Sequence, residues 1–429
     1  MRAYLILTIL VYFIISGCTQ NKLIKTDLPT SSQVKEEMPV DTQQHRKVVL
    51  GNENFVKNYL HLVQGKRVGL LTNPSGVNSR LQSTADIFAN HPDINLTALF
   101  GPEHGIRGAI YAGDHIQDEV DPKTGVPIFS LYGKNRKPNS EMVKNIDVFV
   151  VDIQDIGVRA YTYVYTMAKV MEAAAESGKP VIVLDRPNPL GGKMIEGNLV
   201  EEGHFSFVGL YPIPYRHAMT IGELAQLFNK KYEINSDLTV IPLQGWTRNM
   251  LWDETNLHWI PPSPHVPHWQ TVLYMSTTGT VGELRTLSEG VGYTSPFEMI
   301  GAPWINGTEF ADALNDLELA GVIFRPLYYK PYYATFKGEV CQGVQIHITE
   351  PQQFQSYVAG FHIVQNLIKL YPENDLFAKE KRVRSFGKAV GCAWIAQDLK
   401  NKVPVSEIEK EWQNDLEAFK VIRQKYLLY

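Results

Sequence analysis

Blocks of apolar and polar residues alternate along the chain from about residue 48. Short apolar runs rich in β-branched residues indicate buried strands, and the segments between them carry apolar residues at helical spacing. The predicted strands span 67–73, 94–100, 126–132, 146–153, 180–186 and 238–243, and the predicted helices lie near 81–90, 139–145, 160–178 and 220–232. This alternation predicts an α/β fold with a Rossmann-like parallel sheet and helices on both faces.

The pattern changes in the C-terminal part of the chain. It predicts a helix over 308–320, strands over 321–329 and 341–349, a helix over 351–371 and a helical tail. We therefore expect two domains: a Rossmann-like catalytic domain over 48–250 and a smaller C-terminal α+β domain over 251–429 that contributes to a cleft.

The N-terminal residues are typical of a secretory signal. Arg2 precedes an apolar run over 3–15, and the run ends in Ile15-Ser16-Gly17-Cys18, which resembles the lipobox of bacterial lipoproteins. A membrane-spanning anchor is the alternative, but the run is short of the roughly 20 apolar residues that a span needs. The resemblance implies a signal peptide over 1–17, lipidation of Cys18 and a flexible tether over 18–47. Thr19 after the cysteine favours a location in the outer membrane, facing the periplasm.

The amino-acid composition limits the classes of partner that the protein is expected to bind. The chain has 44% hydrophobic residues, 20% charged residues and a formal net charge of -4, without a Lys/Arg-rich run. No nucleic-acid partner is expected. Neither GxGxxG nor GxxxxGK[ST] follows the first strand, so no cofactor is expected. Cys341 and Cys392 are predicted to be buried thiols, with a disulfide between them as the alternative.

The ends of four predicted strands carry chemistry-bearing residues. In an open parallel sheet, ligands lie outside the carboxyl ends of the strands. Turns use Gly, Pro, Asn and Asp but have no need of Glu, His, Gln or Arg. The polar residues at these ends are Asn73, Glu103, His104, Asp152, Gln154, Asp155, Arg159, Asp185, Arg186 and Asn188. They predict an active site.

Five motifs carry a resemblance to a known family. They read LLTNPSGV, LFGPEHGIRG, VDIQDIGVRAYTY, VLDRPNPLGG and LRTLSEGVGYTSPFEMIGAPW. In this order, from about residue 50 to the C-terminus, the chain resembles the NamZ-like exo-β-N-acetylmuramidases. The resemblance implies a glycoside hydrolase that removes terminal non-reducing N-acetylmuramic acid from peptidoglycan fragments such as MurNAc-GlcNAc during cell-wall turnover.

Glycoside hydrolysis needs one carboxylic acid that protonates the leaving oxygen and a second group at the sugar centre. Glu103, on a glycine-flanked loop, is the predicted acid, and a helix-capping carboxylate is its alternative reading. His104 is predicted to orient that acid, shift its pKa or hold the sugar, with a packed imidazole as the alternative.

The second catalytic group has several candidates. Asp155 and Glu289 rank equally, and Asp152 and Glu196 are rivals. The second group either attacks directly or orients the 2-acetamido group of the substrate for assisted attack. An Asp at a strand end also serves as a turn or helix cap, which is the structural alternative for Asp155.

Muramic acid carries a lactyl carboxylate, which a guanidinium binds with two parallel hydrogen bonds. We expect one or two of the arginines in the candidate loops to contact it. The predicted substrate-binding residues are Asn73, Arg107, Gln154, Arg159, Arg186, Asn188 and Arg216.

Residues 256–271 combine three histidines, His258, His265 and His268, with Trp259 and Trp269. No HExxH or paired CxxC signature accompanies them, so no metal site is predicted. The aromatic rings are instead candidates for stacking on a sugar.

A different class of function stays open. A non-catalytic lipoprotein that binds muropeptides or other glycans fits the same loops, but it has no need of a proton donor at position 103. An esterase or amidase is disfavoured because no GxSxG nucleophile elbow occurs.

Overall fold

A seven-stranded sheet organises the first half of the protein. The computed structural model describes residues 47–108 and 119–429, so the predicted signal peptide, Cys18 and most of the tether lie outside the described residues. The strands are β1 (Arg67–Thr72), β2 (Asn95–Gly101), β3 (Glu119–Val120), β4 (Pro127–Ser130), β5 (Val148–Asp152), β6 (Val181–Leu184) and β7 (Leu238–Ile241). Their order is β3-β4-β2-β1-β5-β6-β7, and every pair is parallel except β3 with β4.

Four of the five helices of this half follow the predicted alternation, and the first helix was not predicted. They are α1 (Gly51–Asn58), α2 (Thr84–Asn90), α3 (Ser140–Val143), α4 (Tyr163–Glu176) and α5 (Ile221–Lys231). Two of them begin at side-chain caps: Asn139 accepts hydrogen bonds from the first turn of α3, and Thr220 forms a capping box with Glu223 in α5. The Rossmann-like parallel sheet predicted from the sequence is confirmed.

Both faces of the sheet are covered. Alternate residues of β5 belong to different hydrophobic clusters: Phe149 and Val151 pack with α4 and α5, whereas Val148 and Val150 pack with Phe55 of α1 and other residues of the opposite face. Successive side chains of a strand point to opposite faces, so a strand buried on both sides needs a continuous apolar run. This explains the unbroken VFVV sequence of β5.

The second half adds a small antiparallel sheet and helices. Its strands, in the order β8-β10-β9, are β8 (Met299–Ala302), β9 (Val322–Tyr329) and β10 (Cys341–Ile348). Its helices are α6 (Thr271–Gly282), α7 (Gly307–Asn315), α8 (Ser356–Leu370), α9 (Glu380–Val390), α10 (Trp394–Lys400) and α11 (Val405–Arg423). The predicted α+β character of this half is confirmed. The strand β8 and the helix α6 were not among the predicted elements.

The two halves share one apolar core. A single cluster of buried side chains runs from Leu71 of β1 to Phe419 of α11. The described residues, 47–108 and 119–429, belong to one compact unit. The boundary at 250 stays a sequence prediction.

Two smaller findings complete the architecture. Cys341 and Cys392 are buried free thiols, which confirms the favoured reading of the two cysteines. Across 47–108 and 119–429, no helix combines the length and the apolar character needed to cross a bilayer.

The sheet also fixes where a site can form. Going along the sheet, β1 lies between β2 on one side and β5 on the other, so the strand order reverses there. Loops that leave the carboxyl ends of strands on the two sides of such a reversal diverge and leave a crevice. The loops after β1, β2 and β5 meet at this point, and they hold most of the predicted site residues.

Candidate active site

The loop after β2 presents Glu103 at the edge of the sheet. Gly105 donates its N–H to the carbonyl of Pro102 at 3.0 Å, which closes a tight turn around Glu103 and His104. His104 is buried and has a φ of 72°, a left-handed conformation that is strained for a residue other than glycine. Gly108 is also left-handed, and a Cβ there would lie 2.7 Å from Cγ of Pro74. The glycines thus let this loop lie against the loop after β1.

Hydroxyl groups surround the Glu103 carboxyl. Thr162, the N-terminal cap of α4, donates its hydroxyl to Oε2 of Glu103 at 3.4 Å. The Tyr132 hydroxyl also lies within hydrogen-bonding reach of this carboxyl; burial, followed by the charge of Glu103, raises the pKa of Tyr132 to about 12. Tyr132 therefore stays a hydrogen-bond donor at neutral pH. The positive end of α4 and two hydroxyls stabilise the carboxylate that remains after Glu103 releases a proton.

A cavity of about 390 Å³ lies between α6, the segment that precedes α4 and the end of α9. Its polar lining consists of His265, Thr280, Glu283, Arg285, Glu289, Ser385 and Lys388. Glu103 is not in the lining. Ala160 of the lining precedes Thr162, the hydroxyl donor to Glu103, by two residues.

Glu289 is the buried carboxyl of this cavity. Its side chain is 5% exposed, and Oε1 lies 3.7 Å from Nη1 of Arg285. Burial raises the pKa of Glu289, and Arg285 opposes that shift only in part. The neighbouring Ser288 exchanges two backbone hydrogen bonds with Gly301 of β8, which fixes the position of Glu289. The structure thus brings one of the two equally ranked second carboxyls into the cavity.

Asp155, the other second carboxyl, lies in the loop after β5 and does not line the cavity. Its Oδ2 accepts the Gly157 N–H at 2.8 Å and lies 3.1 Å from Nε2 of His217, which is fully buried. Nδ1 of His217 accepts the Met219 N–H at 3.2 Å, so the proton of a neutral ring is on Nε2 and faces Asp155. This arrangement matches the turn-holding alternative for Asp155.

The two rival carboxylates have buried arginine partners. Asp152 accepts two hydrogen bonds from Arg186, at 2.6 and 3.0 Å. Glu196 accepts one from Nη1 of Arg216 at 2.5 Å, and all four side chains of these pairs are at most 4% exposed. A buried pair of this kind is lost at high cost when one partner is removed. Both carboxylates are therefore held in buried ion pairs, and neither lines the cavity.

The expectation that one or two of the four arginines contact the substrate carboxylate stays a prediction, and the structure shows each guanidinium bound within the protein. Arg186 and Arg216 occupy the buried pairs just described. Nη1 and Nη2 of Arg159, a fully buried side chain, donate to the carbonyls of Asn198, Ile213, Ala389 and Val390. Arg107, which is partly exposed, binds Asp121 and Asp86. Such contacts consume the donors that a substrate carboxylate would need.

The predicted polar ligands are also bound internally. Oδ1 of Asn73 accepts hydrogen bonds from Ser75, and Asn188 bridges Leu190 and Met219. Gln154 donates to two backbone carbonyls, while its Oε1 is buried without a protein partner. These residues shape the strand ends rather than line the cavity.

Within residues 256–271 the two tryptophans pack against the protein, whereas His258 and His268 are exposed. Trp259 donates its ring N–H to the carbonyl of Val266 at 3.1 Å and packs edge-on against Trp252, while Trp269 is buried. His265 alone of the three histidines lines the cavity, and its Nε2 lies 2.9 Å from the Tyr333 hydroxyl. The stacking expected of these tryptophans on a sugar is not favoured by this packing.

Three residues near the site were missed by the sequence analysis: Tyr132, Thr162 and Arg285. Tyr132 and Thr162 look like ordinary strand-end and helix-cap residues, and only the fold brings them to Glu103. Arg285 had a signal, because it precedes Glu289 by four residues within the LRTLSEG motif. Its φ of 55° is a second sign of a constrained functional position.

A parallel sheet with a glutamate at its carboxyl edge and a second, buried glutamate in a cavity is an arrangement that suits an α/β enzyme of the glycoside hydrolase type. Two family models, described as the N-terminal and C-terminal parts of the exo-β-N-acetylmuramidase NamZ, match residues 68–270 and 272–429. The chain belongs to this family. It is 46% identical over 400 residues to the peptidoglycan β-N-acetylmuramidase NamZ of Bacillus subtilis (strain 168), covering 93% of this chain and 96% of the relative.

Solved structures show the same fold. A crystal structure of a DUF1343 family protein from Bacteroides fragilis is 44% identical, with a TM-score of 0.85, covering 89% of this chain and 99% of that chain. A second DUF1343 family protein from the same organism is 28% identical, with a TM-score of 0.70 and the same coverage of both chains.

Proposed function

We propose that the protein is an exo-acting β-N-acetylmuramidase that hydrolyses terminal non-reducing N-acetylmuramic acid from peptidoglycan fragments. One observation carries this proposal: a half-buried glutamate at the carboxyl edge of the sheet is hydrogen-bonded to Thr162, two residues from the lining of a cavity that contains a second, buried glutamate. Two carboxyls in different environments are what glycoside hydrolysis uses. The activity named for the Bacillus subtilis relative is the same.

The proposed roles follow from the two environments. Glu103 donates a proton to the leaving glycosidic oxygen, and the Thr162 and Tyr132 hydroxyls with the start of α4 stabilise its conjugate base. Glu289 is the second carboxyl, since it lines the cavity and Asp155 does not. His104 positions the Glu103 loop through its left-handed backbone.

The Glu103→Gln variant tests the role of Glu103. It keeps the size and most hydrogen bonding of the side chain but removes the transferable proton, so turnover of MurNAc-GlcNAc falls by about 10²–10⁴-fold. Hydrolysis of an aryl β-N-acetylmuramide with an activated phenol falls far less, because that leaving group needs no protonation. The matched control is Glu141→Gln, an exposed glutamate of α3 that keeps wild-type turnover.

Three outcomes separate the alternatives. Near wild-type turnover of the disaccharide by the Glu103→Gln variant would exclude Glu103 as the acid. If instead the Glu289→Gln variant hydrolyses the substrate with the activated phenol at near the wild-type rate but not the disaccharide, Glu289 would be the proton donor and Glu103 the second carboxyl. A wild-type protein that binds muropeptides without cleaving them would be the non-catalytic lipoprotein considered above.

The cellular location is a further part of the proposal. The Ile15-Ser16-Gly17-Cys18 motif supports a lipid anchor at Cys18, and Thr19 supports the outer membrane, facing the periplasm. In cells, Cys18→Ala should move the protein from the membrane fraction to the soluble fraction, whereas Cys341→Ala should not. Membrane association of the Cys18→Ala protein equal to that of the wild type would contradict the anchor.

A further inference from the structure

Arg285 differs from the arginines that hold this fold together. Within the part of the chain that the structure describes, its nearest carboxylate oxygen is Oε1 of Glu289 at 3.7 Å, which is beyond hydrogen-bonding distance. The side chain is 38% exposed and lines the cavity. The guanidinium N–H groups of Arg285 are therefore available to a ligand, in contrast to those of the four arginines described above.

The backbone conformation fixes the position of Arg285 at the cavity. The residue follows the end of α6, donates its N–H to the carbonyl of Gly282 at 3.1 Å and has a φ of 55°. A left-handed arginine costs backbone energy, and such conformations persist where the surrounding structure fixes them. Gly282, which accepts this hydrogen bond, has no room for a Cβ, which would lie 2.8 Å from Cδ of Glu289. Arg285 and Glu289 are thus held on one wall of the cavity.

A second cation faces the same cavity. Lys388 lies near the end of α9, and the carbonyls of the next two residues, Ala389 and Val390, accept hydrogen bonds from the buried Arg159. The charged lining groups are Glu283, Arg285, Glu289 and Lys388, with His265 as the other titratable group. Because burial shifts Glu289 toward its neutral form, the two cations are only partly balanced.

We propose that this cavity binds the carboxylate of an acidic amino sugar, with Arg285 as the residue that distinguishes the lactyl carboxylate of muramic acid from the free hydroxyl of N-acetylglucosamine. The proposal rests on the proposed function and names its specificity residue. Arg285 binds the carboxylate with two N–H donors, and Lys388 adds a point charge from α9. Ala160, which also lines the cavity, is two residues from Thr162, the hydroxyl donor to Glu103.

The test removes the charge of Arg285 from the protein and, separately, the charge of the lactyl carboxylate from the substrate. We would measure kcat/KM of the wild type, Arg285→Ala and Arg285→Lys on an aryl β-N-acetylmuramide, its lactyl methyl ester and the corresponding N-acetylglucosaminide. The wild type should prefer the free acid over the ester. Arg285→Ala should lower the acid-to-ester ratio by about 10- to 100-fold, the scale of a lost charge-assisted bidentate contact. Arg285→Lys should lower it less, because lysine keeps the charge but not the fork.

Controls keep the result interpretable. Arg384→Ala removes an exposed arginine of α9, whose side chain is 69% exposed, and should leave the ratio at its wild-type value. If Arg285→Ala does not fold, Arg285→Lys and Lys388→Ala carry the test, because Lys388 is exposed. A wild-type acid-to-ester ratio in all the Arg285 and Lys388 variants that fold would overturn this inference while leaving the muramidase proposal intact. A wild type that cleaves none of the three substrates would overturn both.

Discussion

At the scale of single residues, Asp185 shows how burial controls a carboxyl that is not in the cavity. It follows β6 and accepts hydrogen bonds from the Gly222 N–H, the Thr220 hydroxyl and the Tyr429 hydroxyl. Burial outweighs these bonds and raises the pKa of Asp185 to about 7. The folded protein therefore holds a proton here at pH values where the unfolded chain has lost it.

The Asp185→Asn variant should change the pH dependence of stability. Between about pH 4 and pH 7 the raised pKa makes the wild-type free energy of unfolding fall by up to about 1.4 kcal/mol per pH unit, since the folded state binds one proton more. The variant lacks this contribution. Its free energy of unfolding minus that of the wild type, both measured in urea from pH 5 to 8, should therefore increase as pH rises.

The control is Asp147→Asn. The hydrogen bonds from Arg67 hold the pKa of Asp147 well below its usual range, so this group does not titrate between pH 5 and 8. The difference in free energy of unfolding between Asp147→Asn and the wild type should stay constant from pH 5 to 8. Parallel pH curves for Asp185→Asn and the wild type would contradict the proposed protonation of Asp185.

At the scale of elements, Arg159 joins the loop after β5 to the end of α9. Arg159→Lys should lower the free energy of unfolding by about 2–3 kcal/mol, because an ammonium cannot reach the four carbonyls that the guanidinium satisfies from one buried position. Urea unfolding of this variant beside Arg384→Lys, an exposed arginine of α9, measures the effect; Arg384→Lys should change stability by less than about 0.5 kcal/mol. Equal stabilities would show that the carbonyl contacts of Arg159 contribute nothing.

At the scale of the whole molecule, the continuous core predicts cooperative unfolding. Buried side chains from Leu71 to Phe419 form one cluster, and Arg216 binds Glu196 of the first half as well as the Phe354 carbonyl and the Ser356 hydroxyl of the second. Loss of either half would expose a large apolar surface of the other. Circular dichroism and tryptophan fluorescence should therefore report one coincident urea transition. Two separate transitions would show that the halves fold independently.

Much of the fold could be predicted from local pattern. The six parallel strands and their helices were found because buried strands need unbroken apolar runs and amphipathic helices need a 3.6-residue period. The strand β8 (Met299–Ala302) was missed because MIGA is too short to show a period. The helix α6 was missed because its threonine-rich sequence lacks a clear apolar face, while its buried threonines bond back to the helix backbone.

The sequence by itself identified the loops to which we assign the proposed chemistry, since Glu103 and Glu289 stand in glycine-rich segments where a turn has no use for them. Only the tertiary structure decided which charges are available to a ligand. Asp152, Glu196 and the four predicted arginines find partners that are mostly far away in sequence, and a buried charge must be paired wherever its partner comes from. Arg285 is distinguished by lacking such a partner within hydrogen-bonding distance among the described residues, which is a property of three-dimensional distance that sequence spacing does not contain.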